Sequence, residues 1–111
     1  MKRLRSLIDS LPYSQLKTTR LARECSYSPD HLSVLVKDAT GLSLKTFINR
    51  EIQTKAERLL ARSHFNIGEI SDRLGFPDQY AFSHFFRHAT GLSPTAYRHS
   101  LGNAYTPDDY F

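Results

Sequence analysis

The segment Ala39-Thr40-Gly41-Leu42-Ser43 returns unchanged as Ala89-Thr90-Gly91-Leu92-Ser93, each time closing an apolar helical stretch that begins just after a turn. Self-similarity at a fixed offset marks a repeated supersecondary unit, so the chain reads as two copies of one small module. At the same offset of fifty residues, Leu32, Leu35, Val36 and Lys37 align with Phe82, Phe85, Phe86 and Arg87. Just upstream, Tyr27-Ser28-Pro29-Asp30 stands where Phe76-Pro77-Asp78-Gln79 stands, so the second copy carries one extra residue at its turn.

Periodicity fills in the elements around the repeat. Leu4, Leu7, Ile8 and Leu11 form one helical stripe that Pro12 ends. A short helix follows over about Leu16 to Cys25 with Leu21, Ala22 and Cys25 inward. Ser28 then caps a third helix with Pro29 in its first turn, whose inner face is Leu32, Leu35, Val36 and Ala39, and Gly41 supplies its left-handed stop. Ser43 caps a long helix to about Arg62, with Leu44, Phe47, Ile48, Ile52, Ala56, Leu59 and Leu60 keeping a 3.6-residue rhythm. The pair then repeats. Asn66 and Glu69 make a capping-box pattern, Ile67, Ile70 and Leu74 line a face that Gly75 ends, and Asp78 caps a sixth helix with Phe82, Phe85, Phe86 and Ala89 inward. Ser93-Pro94 opens a last helix ending near Arg98 to Ser100. No segment alternates as a strand does.

The expected fold is therefore all-α, with seven helices forming two helix-turn-helix subdomains joined by a long connecting helix. The domain spans 1–100, with the first motif at about 16–41, the connecting helix at about 43–62 and the second motif at about 66–91. Residues 101–111, rich in Gly, Asn, Pro and Asp, read as a flexible tail.

Composition narrows the function classes. A chain of 111 residues holds one domain and leaves no room for a sensor beside it, so an effector or dimerisation domain belongs outside this chain. No apolar run approaches a bilayer span and the first residues lack the apolar core of a secretion signal, which argues for a cytoplasmic protein with no membrane partner. Cys25, the single cysteine, excludes an internal disulfide and a cysteine-rich zinc site. An enzyme has no support: there is no HExxH, no phosphate-binding glycine loop and no Ser-His-Asp set, and no cofactor or metal is expected. His84 and His88 stand at i, i+4 with no acidic or cysteine partner near them in sequence. The net charge of +4 is mild, but residues 1–63 hold 12 Lys and Arg against 6 Asp and Glu, whereas residues 64–111 hold 3 against 5. The first half carries the electrostatics.

In a helix-turn-helix the second helix enters the major groove of duplex DNA while the first crosses the backbone. A connecting helix of about 19 residues spans about 28 Å, close to the roughly 34 Å between successive major grooves on one face of B-DNA. One chain could then read two grooves as a monomer.

The arrangement resembles the DNA-binding domain of the AraC/XylS family of bacterial transcription regulators. The resemblance runs from Leu4 to Arg98 and is carried by Ala56-Glu57-Arg58-Leu59-Leu60, by Ile67 through Phe76, by Phe82-Ser83-His84-Phe85-Phe86-Arg87, and by Gly91-Leu92-Ser93-Pro94-Thr95-Ala96-Tyr97-Arg98. It implies a regulator, most often an activator, that binds promoter DNA and recruits RNA polymerase. On the family pattern the base-reading positions are Asp30, His31, Ser33 and Val34 on the first reading helix, and Gln79, Tyr80, Ser83 and His84 on the second. Gln79 suits adenine, the histidines suit guanine acceptors, and Val34 suits a thymine methyl. Lys37, Arg87 and Arg98, with Lys17, Arg20 and Arg50, are expected at phosphates. Asp30 has a second role open to it at the helix N-terminus, and Tyr80 one of packing on a neighbour.

This chain departs from the pattern at four places: His84 stands where arginine is usual, Thr18 where an aliphatic residue is common, and Ser26 where glycine is frequent, while Glu51 interrupts a usually basic pair. With no net positive charge in its half, the second motif is expected to contribute less affinity than the first. A helical protein–protein adaptor without intrinsic DNA specificity is the alternative.

Overall fold

The structure, a computed structural model, describes residues 1–104, all of them helix, turn or irregular backbone with no strand. The helices are α1 (Lys2–Ser10), α2 (Thr18–Glu24), α3 (Pro29–Thr40), α4 (Leu44–Arg62), α5 (Ile67–Leu74), α6 (Gln79–Thr90) and α7 (Pro94–Ala104), with a 3-10 turn at Tyr13–Gln15. None of them is long and apolar enough to cross a membrane. The chain divides into two compact units, Met1–Thr54 and Lys55 onward.

In unit 1, α1, α2, α3 and the first part of α4 enclose a core of Leu4, Ile8, Leu21, Ala22, Leu32, Val36, Phe47 and Ile52. In unit 2 the core is aromatic. Phe76, Phe82 and Phe86 are buried with Leu60, Ile70 and Leu74, their rings tilted against one another at centroid distances of 5.3 Å and 5.9 Å, the geometry that aromatic quadrupoles favour. Tyr97 of α7 meets the Phe86 ring edge-on at 5.3 Å. Partial burial, with the Glu57 carboxylate nearby, pushes the Tyr97 hydroxyl above the ordinary phenol range.

The repeated five residues form the same corner in both units. Thr40 Oγ1 donates to the Val36 carbonyl at 2.7 Å and accepts the Leu42 amide at 3.1 Å. Thr90 Oγ1 does the same with the Phe86 carbonyl at 2.9 Å and the Leu92 amide at 3.1 Å. Between them Gly41 and Gly91 adopt left-handed φ values of 78° and 84°, and their amides close the last helical turn on the carbonyls of Lys37 and Arg87. The serine then starts the next helix: Ser43 Oγ accepts the Thr46 amide and Ser93 Oγ the Ala96 amide. One sequence thus stops a helix and begins another.

The turns inside the two motifs differ by the expected residue. Ser26, at φ 63°, and Gly75, at φ 83°, end α2 and α5 in the left-handed region. The following amides, of Tyr27 and Phe76, reach back to the Ala22 and Ser71 carbonyls at 2.8 Å and 3.1 Å. In the first copy only Tyr27 stands between Ser26 and the Ser28 cap; in the second, Phe76 and Pro77 stand between Gly75 and the Asp78 cap. Ser71, fully buried, donates to the Asp78 carbonyl at 2.8 Å and ties the longer turn down.

Four expectations need correction. The second helix starts at Thr18 rather than Leu16, because Lys17 at its N-cap offers no side-chain oxygen and the chain before it coils as a 3-10 turn. Ala39 and Ala89 are exposed rather than inward. Cys25 is a half-buried free thiol closing α2, not a core residue. The last helix runs through Ala104, so the first four residues of the expected tail are helical, and 105–111 lie outside the described residues.

At Gly41 and Gly91 an added Cβ would meet no atom within 4 Å, so replacement costs backbone strain alone. Forcing an alanine into the left-handed region is worth about 1 kcal/mol after the unfolded-state gain is subtracted. Gly41→Ala and Gly91→Ala are therefore expected to destabilise by about that amount each in urea denaturation, while Ser26→Gly stabilises or is neutral. A neutral Gly41→Ala would contradict the stop role.

Candidate nucleic-acid interface

Each motif presents its second helix with one buried and one open face. On α3, Leu32 and Val36 are buried, while Asp30, His31, Val34 and Lys37 are exposed, Val34 at 57%. On α6, Phe82 and Phe86 are buried, and Gln79, Tyr80, His84 and Arg87 are exposed, Tyr80 at 78%. Ser33 and Ser83, equivalent in the repeat, are both half-buried at the edge of the open face. The eight positions expected to read bases thus fall on two outward helix faces, four on each.

Cap chemistry fixes where these faces begin. Ser28 Oγ accepts the His31 amide at 3.2 Å, and Asp78 Oδ1 accepts the Ala81 amide at 2.7 Å. Asp30 lies in the first turn of α3, where a carboxylate favours the positive end of the helix, and α6 has no acidic counterpart. Lys37 and Arg87 sit in the last turns, suited to the opposite end. Gln79 borders α5: its Oε1 would lie 3.3 Å from a Cβ built at Gly68. That glycine lets the first turn of α5 lie close to the start of α6.

Each face also carries an aromatic–imidazole pair. The Tyr80 and His84 rings stack at 6.3 Å between centroids, and Tyr27 and His31 lie 5.0 Å apart. In the sequence Tyr27 stands out only as the turn counterpart of Phe76. Phe76 is buried against Phe82 and Phe85, whereas Tyr27 is 44% exposed beside His31. The signal that could have found it is the i, i+4 spacing to His31.

The cations expected at phosphates divide. Lys17, Lys37, Arg50 and Arg87 are exposed. Arg20 is half-buried, and its Nε is enclosed without a hydrogen-bond acceptor. Arg98 departs from the expectation. Its Nε donates to the Leu60 carbonyl at 3.1 Å, Nη1 to Phe65 at 2.6 Å, and Nη2 to Leu59 and Ser63 at 3.5 Å and 3.4 Å. These carbonyls end α4 and lead to α5, where a helix leaves acceptors unsatisfied and carries partial negative charge. The guanidinium therefore has an internal role in place of a phosphate contact. Arg73 adds to the same corner, stacked over the Phe65 ring at 3.9 Å. Among the described residues no three His, Cys, Asp or Glu side chains cluster as metal ligands would, so His84 and His88 have no third partner.

A family model described as a helix-turn-helix domain matches residues 21–100. The chain is 29% identical over 103 residues to the Msm operon regulatory protein of Streptococcus mutans, covering 93% of this chain and 37% of that protein. It is 30% identical over 90 residues to the arabinose operon regulatory protein of Escherichia coli, covering 81% and 31%. The chain thus spans about a third of the length of these relatives. Among solved structures, the C-terminal domain of AraT, a response regulator from Geobacillus stearothermophilus, matches with a TM-score of 0.77 at 32% identity, covering 89% of this chain and 83% of that one. The DNA-binding domain of AdpA, determined with a target DNA, shares the fold with a TM-score of 0.75 at 24% identity, covering 96% and 91%.

Removing the Arg98 guanidinium leaves several carbonyls at the α4–α5 corner without donors, at a cost of about 1.5–3 kcal/mol. Arg98→Ala is expected to lose that much in urea denaturation, and Arg98→Lys to recover only part, because one ammonium cannot reach four acceptors set around a planar fork. A fully stable Arg98→Ala would contradict the internal role.

Proposed function

We propose, from the premise that this chain belongs to the AraC-type helix-turn-helix family, that it binds duplex promoter DNA sequence-specifically, with α3 and α6 each reading a major groove. The observation that carries this reading is the repetition of one outward face on the second helix of each motif, ended by the same corner. The fold shared with the AdpA domain, which was solved on its target DNA, supports duplex DNA as the partner.

Val34 suits the methyl of thymine, Gln79 adenine, and His31 and His84 the acceptors of guanine. Ser33 and Ser83 form permissive contacts, Tyr80 and Asp30 flank them, and Lys17, Arg20, Lys37, Arg50 and Arg87 hold phosphates to set register. The chain acts as a monomeric reader within a regulator whose effector or dimerisation domain lies outside it, working in the cytoplasm and recruiting RNA polymerase.

The two motifs contribute unequally. Unit 1 has nine Lys and Arg against five Asp and Glu, while the sequence from Lys55 onward has six against six. Phosphate attraction therefore falls mainly to the first.

Fluorescence anisotropy against a duplex carrying a selected site tests the reading. Affinity is expected to fall steeply with salt, log K dropping by about 0.9 per phosphate contact per log unit. Lys37→Ala should lower affinity and reduce that slope by about one contact, and should do more harm than Arg87→Ala. Absence of duplex binding at about 50 mM salt, where such contacts are strong, would favour a protein adaptor instead. A larger loss from Arg87→Ala than from Lys37→Ala would overturn the unequal division.

A further inference from the structure

Of the two turns inside the motifs, the shorter leaves its aromatic residue outside. Phe76 reaches the core of unit 2 with Pro77 behind it, whereas Tyr27, directly followed by the Ser28 cap, is 44% exposed. The Tyr27 backbone is nonetheless fixed. Ser26 before it takes the left-handed φ of 63°, and the Tyr27 amide donates to the Ala22 carbonyl at 2.8 Å. One helical turn further on, the His31 amide donates to the Ser28 hydroxyl at 3.2 Å, which anchors the base of that side chain too. The two rings lie 5.0 Å apart at an interplanar angle of 33°, within the range of attractive aromatic contact.

An exposed imidazole in the first turn of a reading helix otherwise has free side-chain torsions, and ordering such a side chain on a partner costs affinity. A ring already seated against it removes part of that cost and sets which edge of the imidazole faces outward. On α6 the Tyr80 and His84 rings stack in the same way. The repeat does not make the two pairs equivalent, since its offset sets Ala81 against His31 and Val34 against His84. Duplication alone therefore does not account for a tyrosine beside an imidazole on both open faces.

We propose that Tyr27 is a positioning residue for base readout: its ring holds the His31 imidazole in the orientation in which that ring meets a base edge. A residue of the turn, outside α3, then sets how selective the first motif is at one base pair. This role rests on the reading of α3 as a groove-reading helix.

NMR of the DNA-free chain, with fluorescence anisotropy on a selected duplex and on its single-base-pair substitutions, tests the role. The Tyr27 ring current is expected to displace the His31 imidazole proton resonances, and Tyr27→Leu to remove that displacement with the melting temperature kept. Tyr27→Leu should weaken binding to the selected duplex by about three- to tenfold and flatten discrimination at the same base pair that His31→Ala flattens. In the His31→Ala background it should change nothing further at that pair. Tyr27→Phe, which keeps the ring, should bind as the unchanged chain does. Full-strength binding by Tyr27→Leu, losses that multiply in the double variant, or a Tyr27→Phe loss as large as that of Tyr27→Leu would each overturn the positioning role. Absence of duplex binding by the unchanged chain, with the ring-current displacement in place, would count against the DNA reading instead.

Discussion

A threonine hydroxyl that bonds in two directions, followed by a left-handed glycine, holds the end of each reading helix in place. Thr40 and Thr90 return a hydrogen bond to the helix they finish and accept one from the chain leaving it. The glycine amide closes the same turn on the carbonyl of Lys37 or Arg87, so the residue assigned to the DNA backbone sits in the turn the corner ties. Two residues later a serine caps the next helix. The direction in which the chain leaves α3 and enters α4, and leaves α6 and enters α7, is thus set by backbone geometry and three short hydrogen bonds rather than by large side chains. That explains why five residues recur without change while the packing behind them differs. One core is mainly aliphatic, the other rich in phenylalanine.

The copies diverge in ways that follow from that difference in packing. The aromatic core of unit 2 takes Phe76 inside, the longer turn that delivers it carries Pro77, and the buried Ser71 hydroxyl anchors the far end of that turn. In unit 1 Ala22 occupies the position matching Ser71 and offers no such bond. Tyr27 there stays partly open, available to the outward face beside His31. Charge diverges in parallel. On the proposed reading, attraction to the DNA backbone falls mainly to the basic unit.

Much of this is legible in the amino-acid sequence. All seven helices, the helix stops at Gly41, Gly75 and Gly91, and the capping box at Asn66 and Glu69 follow from local rules, because caps and stops depend on residues only a few positions apart. What could not be read involved either weak local signals or distant partners. Lys17 gives α2 no side-chain cap, so no local signal marks its start at Thr18. Alanines at the edge of an apolar stripe carry too little surface to show which way they face, and Ala39 and Ala89 turned outward. Arg98 has its partners 33 to 39 positions earlier in the chain, and no spacing rule distinguishes a guanidinium folded onto a helix end from one facing solvent. Tyr27 was hidden by the repeat itself, since its counterpart is buried.

The proposed function requires that one chain offer two reading faces to one duplex. Selecting bound sites from random duplexes with the isolated 111-residue chain, followed by footprinting of the winning sequence, tests this most directly. Two short conserved elements with centres about one helical turn apart, roughly 10–10.5 base pairs, and protection over both, are the predicted result. A single conserved element, with protection confined to one groove and indifferent to substitutions on α6, would contradict it.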